Sequence, residues 1–248
     1  MIQNTSKIID NERFFKKYTS TAMLVDTNEE SLTEWSRGYF EKFLLPHLPH
    51  DKKSKIIEIG CGYGRYLKAL KENGFTELLG IDISEEQVVY AKEKLGLDDI
   101  FLADAFSFLE DKTSVYDTII ACDILEHIDL EDSINLLRAC FVALKTGGVL
   151  LIQVPNAICP ISVHTYGDIT HKRAYTLSSL RQSLLLSGFS PNFSFFELPP
   201  YVHGPISMIR RLLWNFLVKP CIKAYMLIAN GDSMGGIYSA NLLCVVKK

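Results

Sequence analysis

The chain has 248 residues and a formal net charge of −3, with 48% hydrophobic and 22% charged residues. This composition is that of a globular protein large enough to bury a core without disulfides, and it excludes fibrous and disordered chains. A chain so close to neutral creates no global field that draws in nucleic acid, and its sequence has no stripe of Lys and Arg with interleaved aromatic residues. A nucleic-acid partner is therefore not expected.

The six cysteines form neither a CxxC pair nor a zinc-finger spacing, and we interpret them as small apolar residues. The segment Met1–Lys17 has no apolar run of signal-peptide length after its charges. These features favour a cytoplasmic protein.

Residues 1–50 are predicted to be an N-terminal helical cap. Their amphipathic helix is expected to open at Ser31, with Glu34 as the second residue of a capping box. Such a cap either covers the carboxyl ends of the sheet strands, where ligands of open α/β sheets bind, or packs elsewhere on the domain. The sequence leaves both arrangements open.

Residues 51–248 form the second predicted domain, in which short apolar runs alternate with amphipathic stretches. This alternation is typical of a doubly wound α/β domain, a parallel sheet with helices on both faces. Most runs are continuously apolar because parallel strands are buried on both faces. The predicted strands are Lys55–Ile59, Leu78–Ile83, Ile100–Ala103, Tyr116–Cys122, Val149–Val154, Asn192–Leu198 and Tyr238–Val246.

Helix ends are predicted from capping residues. Ser84 with Gln87 forms a capping-box pair at the start of the helix after the second strand. The pair Gly147-Gly148 is expected to close the helix that precedes the fifth strand, and Thr176 to begin a later one.

A helical insertion is predicted at about 201–235. Pro220 is expected to break its apolar part, 206–229, which four basic residues also interrupt, so that it does not span a bilayer. Two basic amphipathic pieces can instead contact an anionic membrane surface, pack on the domain or join two copies in a homodimer.

Three glycines, Gly60, Gly62 and Gly64, follow the first strand directly. Glycine allows a tight turn and a close approach of the backbone to a ligand. A nicotinamide-binding turn reads GxGxxG and needs glycine at position 65, where this chain has Arg65. Asp82 closes the second strand, where a carboxylate can accept two hydrogen bonds from a ribose. Together these features predict an adenosine-containing ligand.

The run E-x-G-x-G-x-G, the acid of the second strand and L-A-D-A after the third resemble the nucleotide-binding motifs of class I S-adenosylmethionine-dependent methyltransferases. The similarity covers about 55–154. It implies a Rossmann-like sheet of seven strands in the order 3-2-1-4-5-7-6, with the last antiparallel, and S-adenosylmethionine as cofactor. The donor-binding residues that it implies are Glu58, Gly60, Gly62, Gly64, Asp82, Ile83, Asp104, Ala105, Cys122 and Asp123.

By this resemblance the three glycines flank the methionine part of the donor and Asp82 holds its ribose. Asp104 is expected to accept a hydrogen bond from the adenine amino group, with the backbone of Ala105 beside it. Glu58 is expected to order the glycine turn, and as a buried acid it needs polar partners.

The segment after the fourth strand resembles the D-x-L-E-H segment of a branch that includes ubiquinone-biosynthesis O-methyltransferases. The resemblance implies that its backbone lines the sulfonium. His127 can take a proton from an acceptor hydroxyl, because an imidazole with a near-neutral pKa suits general-base work. The structural alternative is that His127 packs against the neighbouring helix.

The loop 166–173 contains G-D-x-T-H-x-R and resembles methyltransferases of glycan assembly, including O-antigen modification. The resemblance implies a sugar hydroxyl as acceptor, with His171 or Asp168 as base or hydrogen-bonding partner. Tyr166 is expected at the acceptor, and Arg173 to bind a phosphate or carboxylate on it. In the structural alternative Asp168 and His171 satisfy each other within an ordered loop.

A metal site of His164, Asp168 and His171 is a further reading, but this spacing matches no established ligand motif and no metal is predicted. The glycan O-methyltransferase is the favoured function.

Two alternatives to that function stay open. One is a small-molecule O- or N-methyltransferase of the quinone-precursor type, and the other is a non-catalytic donor-binding protein. An apolar slot lined by Phe14, Phe15 and Trp214 would favour an aromatic or lipid-linked acceptor.

Overall fold

The computed structural model describes residues 29–160 and 163–248. Its seven strands are β1 (Ile56–Ile59), β2 (Leu78–Asp82), β3 (Ile100–Leu102), β4 (Tyr116–Cys122), β5 (Leu144–Pro155), β6 (Phe193–Glu197) and β7 (Asn241–Lys247). They form one sheet in the order β3-β2-β1-β4-β5-β7-β6, with β7 antiparallel to β6. The predicted seven-stranded Rossmann-like topology is confirmed.

The α-helices are α1 (Glu29–Phe43), α2 (Arg65–Glu72), α3 (Glu85–Leu95), α4 (Ala105–Leu109), α5 (Leu130–Ala143), α6 (Val163–Tyr166), α7 (Leu177–Leu186), α8 (Pro205–Leu213) and α9 (Lys219–Asn230). A short 3-10 turn at Leu125–His127 follows β4, and a π-helical turn at Trp214–Val218 joins α8 to α9. The chain divides into two compact units.

The first unit takes in the chain up to Cys122, together with Ala139–Leu150 and Lys248. Its centre is β1, which pairs in parallel with β2 on one side and β4 on the other. All four residues of β1 are buried, as expected for a central parallel strand. Within this unit α1 packs on α2, with the rings of Phe40 and Tyr66 5.4 Å apart.

The second unit consists of Asp123–Arg138 and Leu151–Lys247. The long connection after β5 is fastened at both ends. Asn156 donates its side-chain amide to two carbonyls that precede β7, and the Tyr175 hydroxyl donates to Ser133 Oγ at 3.2 Å. The stretch between Asn156 and Tyr175 therefore returns to the segment that follows β4.

Two predicted helix ends are wrong, and a third, at Ser84, is right in position but lacks the predicted capping box. Helix α5 stops at Ala143 and β5 begins at once, so that Gly147-Gly148 lies inside the strand segment and does not close the helix. Ser84 is the N-cap of α3, but its side chain makes no capping hydrogen bond. Ser31 lies inside α1, which the structure describes from Glu29 onwards, so Ser31 is not its N-cap. The helix start predicted at Thr176 is confirmed, and Thr176 forms a capping box with Ser179 that was not predicted.

The predicted break at Pro220 is also wrong. Helical structure continues from Pro205 to Asn230 through the π-helical turn, and Pro220 falls in the first turn of α9. Proline is tolerated there because its missing N–H costs little where a helix changes its hydrogen-bonding pattern. Among the described residues this 26-residue segment is long and apolar enough, by length and composition, to cross a membrane.

Candidate functional site

The glycine turn has the geometry that only glycine adopts freely. Gly60, Gly62 and Gly64 have φ values of +64°, +57° and +81°. A Cβ placed on Gly64 would lie 2.4 Å from Ile100 Cδ1 and 2.7 Å from Leu97 Cδ1. Glycine is therefore required at position 64 for two reasons: the left-handed backbone angle and the side chains packed against this residue.

Asp82 ties this turn to the end of β2. Its Oδ2 accepts the Gly62 amide at 2.7 Å, and its Oδ1 accepts the Ser84 amide at 2.8 Å. Burial raises the pKa of Asp82, although the amide hydrogen bonds from Ser84, Gly62 and Ile83 act to lower it. Each carboxylate oxygen keeps acceptor capacity beyond its amide bond, which is what binding a ribose diol requires.

Other residues of the predicted donor site lie near the carboxyl ends of the strands in the first unit. Ile83 exposes 44% of its surface beside Asp82, an apolar face suited to a nucleobase. Asp104 caps α4, with Oδ1 accepting the amide and hydroxyl of Ser107, and Ala105 is buried behind it. Glu58 is buried within β1, and Cys122 is buried at the end of β4.

In the second unit, Asp123 begins the segment that follows β4. It has a φ of +55°, an unusual angle for a residue with a side chain, of the kind found at functional sites. Its two carboxylate oxygens lie 3.0 and 2.9 Å from Gln153 Nε2, and its amide donates to the Gln153 carbonyl. These bonds fix the direction in which the chain enters the Leu125–His127 turn.

The loop before α7 is held against this turn. The Lys172 amide donates to the Glu126 carbonyl at 2.7 Å, and Lys172 Nζ lies 3.0 Å from Asp129 Oδ2. As a result His127 and His171, far apart in sequence, stack edge to face with ring centroids 4.6 Å apart.

The three predicted catalytic residues, His127, His171 and Asp168, belong to one network. Thr170 Oγ1 lies 2.6 Å from Asp168 Oδ1, to which it donates, and 2.8 Å from His127 Nδ1. Since the threonine proton points to the carboxylate, Nδ1 of His127 carries a proton and Nε2 the lone pair. His171 Nδ1 lies 3.1 Å from the Thr165 carbonyl, which can only accept, so the same tautomer holds there.

Sequence reasoning did not single out the side chain of Glu126. This side chain is completely buried, and neither carboxylate oxygen has a hydrogen-bond partner among the described residues. Its Oε1 lies 4.0 Å from His171 Nε2. Burial raises the pKa of Glu126 well above its ordinary value, and the neighbouring Asp123 raises it further. The glutamate of D-x-L-E-H was a visible signal, but only its backbone was assigned a role.

The electrostatics of His127 bear on its predicted role as a base. Burial, and then the neighbouring His171, lower the pKa of His127 to about 4. At neutral pH the imidazole is therefore uncharged and a weak proton acceptor, since an efficient general base has a pKa near the working pH. An uncharged imidazole with a low pKa is better suited to accept a hydrogen bond or to bind a metal than to act as a general base.

The remaining predicted residues are distributed around this network. Tyr166 exposes 86% of its surface, and Arg173 is half-buried, with no hydrogen-bond acceptor for Nε among the described residues. His164 is exposed, and it does not join the group of possible metal ligands found among the described residues, which consists of Glu126, His127 and His171. The slot predicted from Phe14 and Phe15 lies outside the described residues.

Comparison with known proteins gives the same assignment for most of the chain. Residues 32–191 match the family described as "Methyltransferase domain". YqeM of Bacillus subtilis, whose name places it among methyltransferases, is 30% identical over 129 residues, 46% of this chain and 52% of its own length. The ubiquinone biosynthesis O-methyltransferase of Stutzerimonas stutzeri is 29% identical over 106 residues, 41% of this chain and 44% of its own length.

The similarity to these relatives is partial, since the chain spans about half of their length. A solved structure extends the comparison of the fold. A SAM-dependent methyltransferase from Archaeoglobus fulgidus superposes with a TM-score of 0.66 at 21% identity, covering 87% of this chain and 94% of its own.

Proposed function

Because the chain belongs to the methyltransferase-domain family, we propose that it transfers a methyl group from S-adenosylmethionine to a hydroxyl oxygen of its acceptor. The observation that carries this proposal is the glycine turn fastened to Asp82. Three left-handed glycines and a buried carboxylate that keeps acceptor capacity make a cradle for an adenosine with a small charged tail.

Methyl transfer from a sulfonium is an in-line displacement with a good leaving group. The protein contributes mainly by aligning nucleophile, carbon and sulfur, and by removing a proton where the acceptor needs it. An alkyl hydroxyl has a high pKa and profits from polar assistance. The network of His127, Thr170, Asp168 and His171 supplies polar groups for that purpose.

For the acceptor we favour a sugar hydroxyl of a polysaccharide or its precursor. The loop 166–173 is polar and presents the exposed ring of Tyr166, a surface on which a sugar can stack. Arg173 is half-buried in the same loop, and its guanidinium suits a phosphate or carboxylate on the acceptor. A charged glycan precursor would satisfy both groups.

The second candidate is a small phenolic acceptor of the quinone-precursor type. It is favoured by the similarity to a ubiquinone biosynthesis O-methyltransferase, although only 41% of this chain takes part in that match. A phenol needs less help with deprotonation than a sugar hydroxyl, because its pKa is lower. The two candidates therefore differ in how far they depend on the histidine network.

Donor binding is tested by calorimetric titration with S-adenosylhomocysteine. We expect the wild type to bind and Asp82→Ala to lose at least about a hundredfold in affinity, since charge-assisted hydrogen bonds are removed. Asp98→Ala, an exposed acid in the same unit, is the matched control and should bind as the wild type does. Circular dichroism establishes that each variant is folded. A folded wild type that does not bind the product would refute the proposal.

The acceptor is tested separately, with S-adenosylmethionine labelled in its methyl group. Nucleotide sugars, polysaccharide fragments and dihydroxybenzoates are offered in parallel, and products are located by mass spectrometry. Label on a sugar oxygen supports the favoured acceptor. Label on a phenol would replace it with the second candidate, and donor binding without transfer to any oxygen would leave the non-catalytic alternative.

A further inference from the structure

We infer that Glu126, His127 and His171 form a binding site for a single divalent transition-metal ion. One ligand atom from each of these side chains lies within 4.8 Å of the other two. A tetrahedral ion bound at about 2.1 Å holds its ligands roughly 3.4 Å apart, so the side chains close in by at most about 1.4 Å when it binds. All three belong to the second unit and are positioned by its own hydrogen bonds.

The two imidazoles are oriented as metal ligands usually are. A ligating histidine nearly always donates its other ring N–H to a protein oxygen, which fixes the tautomer and directs the lone pair. Here His127 Nδ1 is bonded to Thr170 Oγ1 and His171 Nδ1 to the Thr165 carbonyl. Both rings thus carry the lone pair on Nε2.

The carboxylate supplies the independent reason to expect a cation. Glu126 is completely buried, and neither oxygen has a hydrogen-bond partner among the described residues. Buried polar groups are almost always satisfied, because an unmet one costs free energy. A cation bound by Glu126 and the two imidazoles would satisfy the carboxylate with groups that are already in place.

The donor set selects the class of ion. Two imidazole nitrogens and one carboxylate suit Zn²⁺, Co²⁺ or Mn²⁺, whereas Ca²⁺ and Mg²⁺ prefer oxygen ligands alone. Three protein ligands also leave coordination positions open.

A role in catalysis follows only if the proposed function holds. A hydroxyl bound at an open position would lose its proton to water more readily.

The experiment is titration of chelator-treated protein with Co²⁺ and with Zn²⁺, followed by calorimetry and by the visible absorption of Co²⁺. We expect one ion per chain. Glu126→Gln and His171→Gln should each weaken binding at least about a hundredfold, and Thr170→Val about tenfold, the usual range for a residue that orients a ligand. Glu131→Gln and His164→Gln, exposed residues near the two ligand segments, should bind as the wild type does.

Titration with S-adenosylhomocysteine separates this inference from the proposed function. Protein that binds the nucleoside product but takes up no stoichiometric ion overturns the metal site and leaves the proposed function intact. Equal ion binding by wild type and the two ligand variants overturns it as well. Ion binding that depends on Glu126 and His171 supports the site whether or not the product binds.

A different observation carries a second inference, which concerns the helical segment Pro205–Asn230, called here the exposed helix. We propose that it lies in the surface of an anionic lipid bilayer. Within the second unit one of its faces packs on the protein and the opposite face is uncovered. The packed residues recur every three or four positions, except for a step of five across the π-helical turn. They are Ser207, Arg211, Trp214, Lys219, Ile222 and Met226.

That step of five shows what the π-helical turn does. The extra residue keeps Lys219 on the same side as Trp214, where its Nζ lies 2.6 Å from Glu197 Oε2. Arg211 is fastened on this side too, through the Pro200 carbonyl at 3.0 Å. The exposed helix is therefore tethered to the second unit at two points, Arg211 and Lys219.

The uncovered side has the composition of an interfacial helix. Large apolar side chains are exposed along it, among them Ile209 at 58%, Phe216 at 78% and Ile228 at 86%. Exposed Arg210 and Lys223 accompany them, and the sequence has no Asp or Glu between Glu197 and Asp232. Apolar residues with basic residues at their flanks match a bilayer with anionic headgroups.

Vesicle flotation tests this second inference. The wild type should float with phosphatidylcholine vesicles that contain about 30% phosphatidylglycerol and bind neutral vesicles at least about tenfold less. Phe216→Ser with Ile228→Ser, and Arg210→Glu with Lys223→Glu, should each reduce binding at least about tenfold. Leu186→Ser, a helical residue exposed to 59%, is the matched control and should keep wild-type binding.

A second copy of the chain is the competing occupant of the uncovered face. Light scattering after gel filtration measures it on the same samples. A wild-type dimer that Phe216→Ser with Ile228→Ser converts to monomer, without vesicle binding, overturns the membrane inference. A wild type that neither floats nor dimerises overturns it too.

Discussion

Gly64 shows how a single missing Cβ can matter at this site. Gly64→Ala places a residue with a side chain in the left-handed region, which should lower the free energy of unfolding by about 1 kcal/mol. The new methyl group also clashes with Ile100 and Leu97, which should lower it by about 1–3 kcal/mol more. Gly74→Ala has nearly the same φ and open space around it, so it should show the backbone cost alone. Urea denaturation measures both variants, and equal losses would mean that the packing around Gly64 adapts.

Asp117 provides a residue whose contribution depends on pH. Burial acts to raise the pKa of Asp117, but hydrogen bonds from Lys145 and from the Lys55 amide, together with their charges, leave it lowered. A lowered pKa gives stability that is present above the ordinary value of 3.8 and is lost as the pH falls through the folded-state value.

Asp117→Asn should therefore lower the free energy of unfolding by about 1 kcal/mol at pH 7. The difference from wild type should shrink as the pH falls below 3.8 and disappear below the folded-state pKa of Asp117. Denaturation curves between pH 2.5 and 7 test this, with Asp98→Asn as an exposed control. A difference that is constant across this range would mean that the asparagine acts through packing and not through charge.

Helix α7 is an element whose start could be predicted from the sequence, and a capping box forms there. Thr176 Oγ1 accepts the Ser179 amide at 3.1 Å, and Ser179 Oγ accepts the Thr176 amide at 2.9 Å. Thr176→Ala should destabilise the protein by about 1 kcal/mol, since the amides at the helix start lose an acceptor. Ser178→Ala, exposed one residue earlier than Ser179, should change stability little. Thermal unfolding compares the two.

The π-helical turn, unlike the start of α7, was not predicted from the sequence. Deleting exposed Asn215 should restore ordinary α-helical spacing and rotate the following residues by about 100°. Lys219 would then leave Glu197, and the melting temperature should fall by several degrees. Asn215→Ala keeps the spacing and should melt like the wild type. Unchanged melting of the deletion variant would mean that the insertion plays no part in packing.

These elements show why parts of the fold were predictable. Thr176 and the strands near the glycine turn are specified by neighbours in sequence. Gly147-Gly148 misled because glycine pairs serve strands as well as helix ends, and Pro220 misled because a π-helical turn can absorb it. Glu126 belongs to a motif that is visible in the sequence. Its proposed role, however, depends on His171, which lies in a loop some forty residues later, and no local sequence pattern predicts that this loop lies beside Glu126.

At the scale of the molecule, the proposals place a donor-binding centre mainly in the first compact unit and a metal centre in the second. Some backbone amides exchange their hydrogen only when the protein opens locally and releases its ligand. A ligand that binds only the folded protein slows the exchange of these amides, by up to about a hundredfold when the ligand concentration is a hundred times its dissociation constant. S-adenosylhomocysteine should therefore protect peptides that contain Gly62 and Ser84. Co²⁺ should protect peptides that contain Glu126 and Lys172.

Hydrogen exchange followed by mass spectrometry tests this division of ligands. Asp82→Ala should lose the first protection and keep the second, while Glu126→Gln should do the reverse. The amides concerned are those that hold each centre together: Gly62 and Ser84 donate to Asp82, and Lys172 donates to the turn that bears Glu126. If S-adenosylhomocysteine does not protect the Asp82 region and Co²⁺ does not protect the Glu126 region, both assignments are contradicted. Each assignment requires the ligand to stabilise the hydrogen bonds that hold its site together.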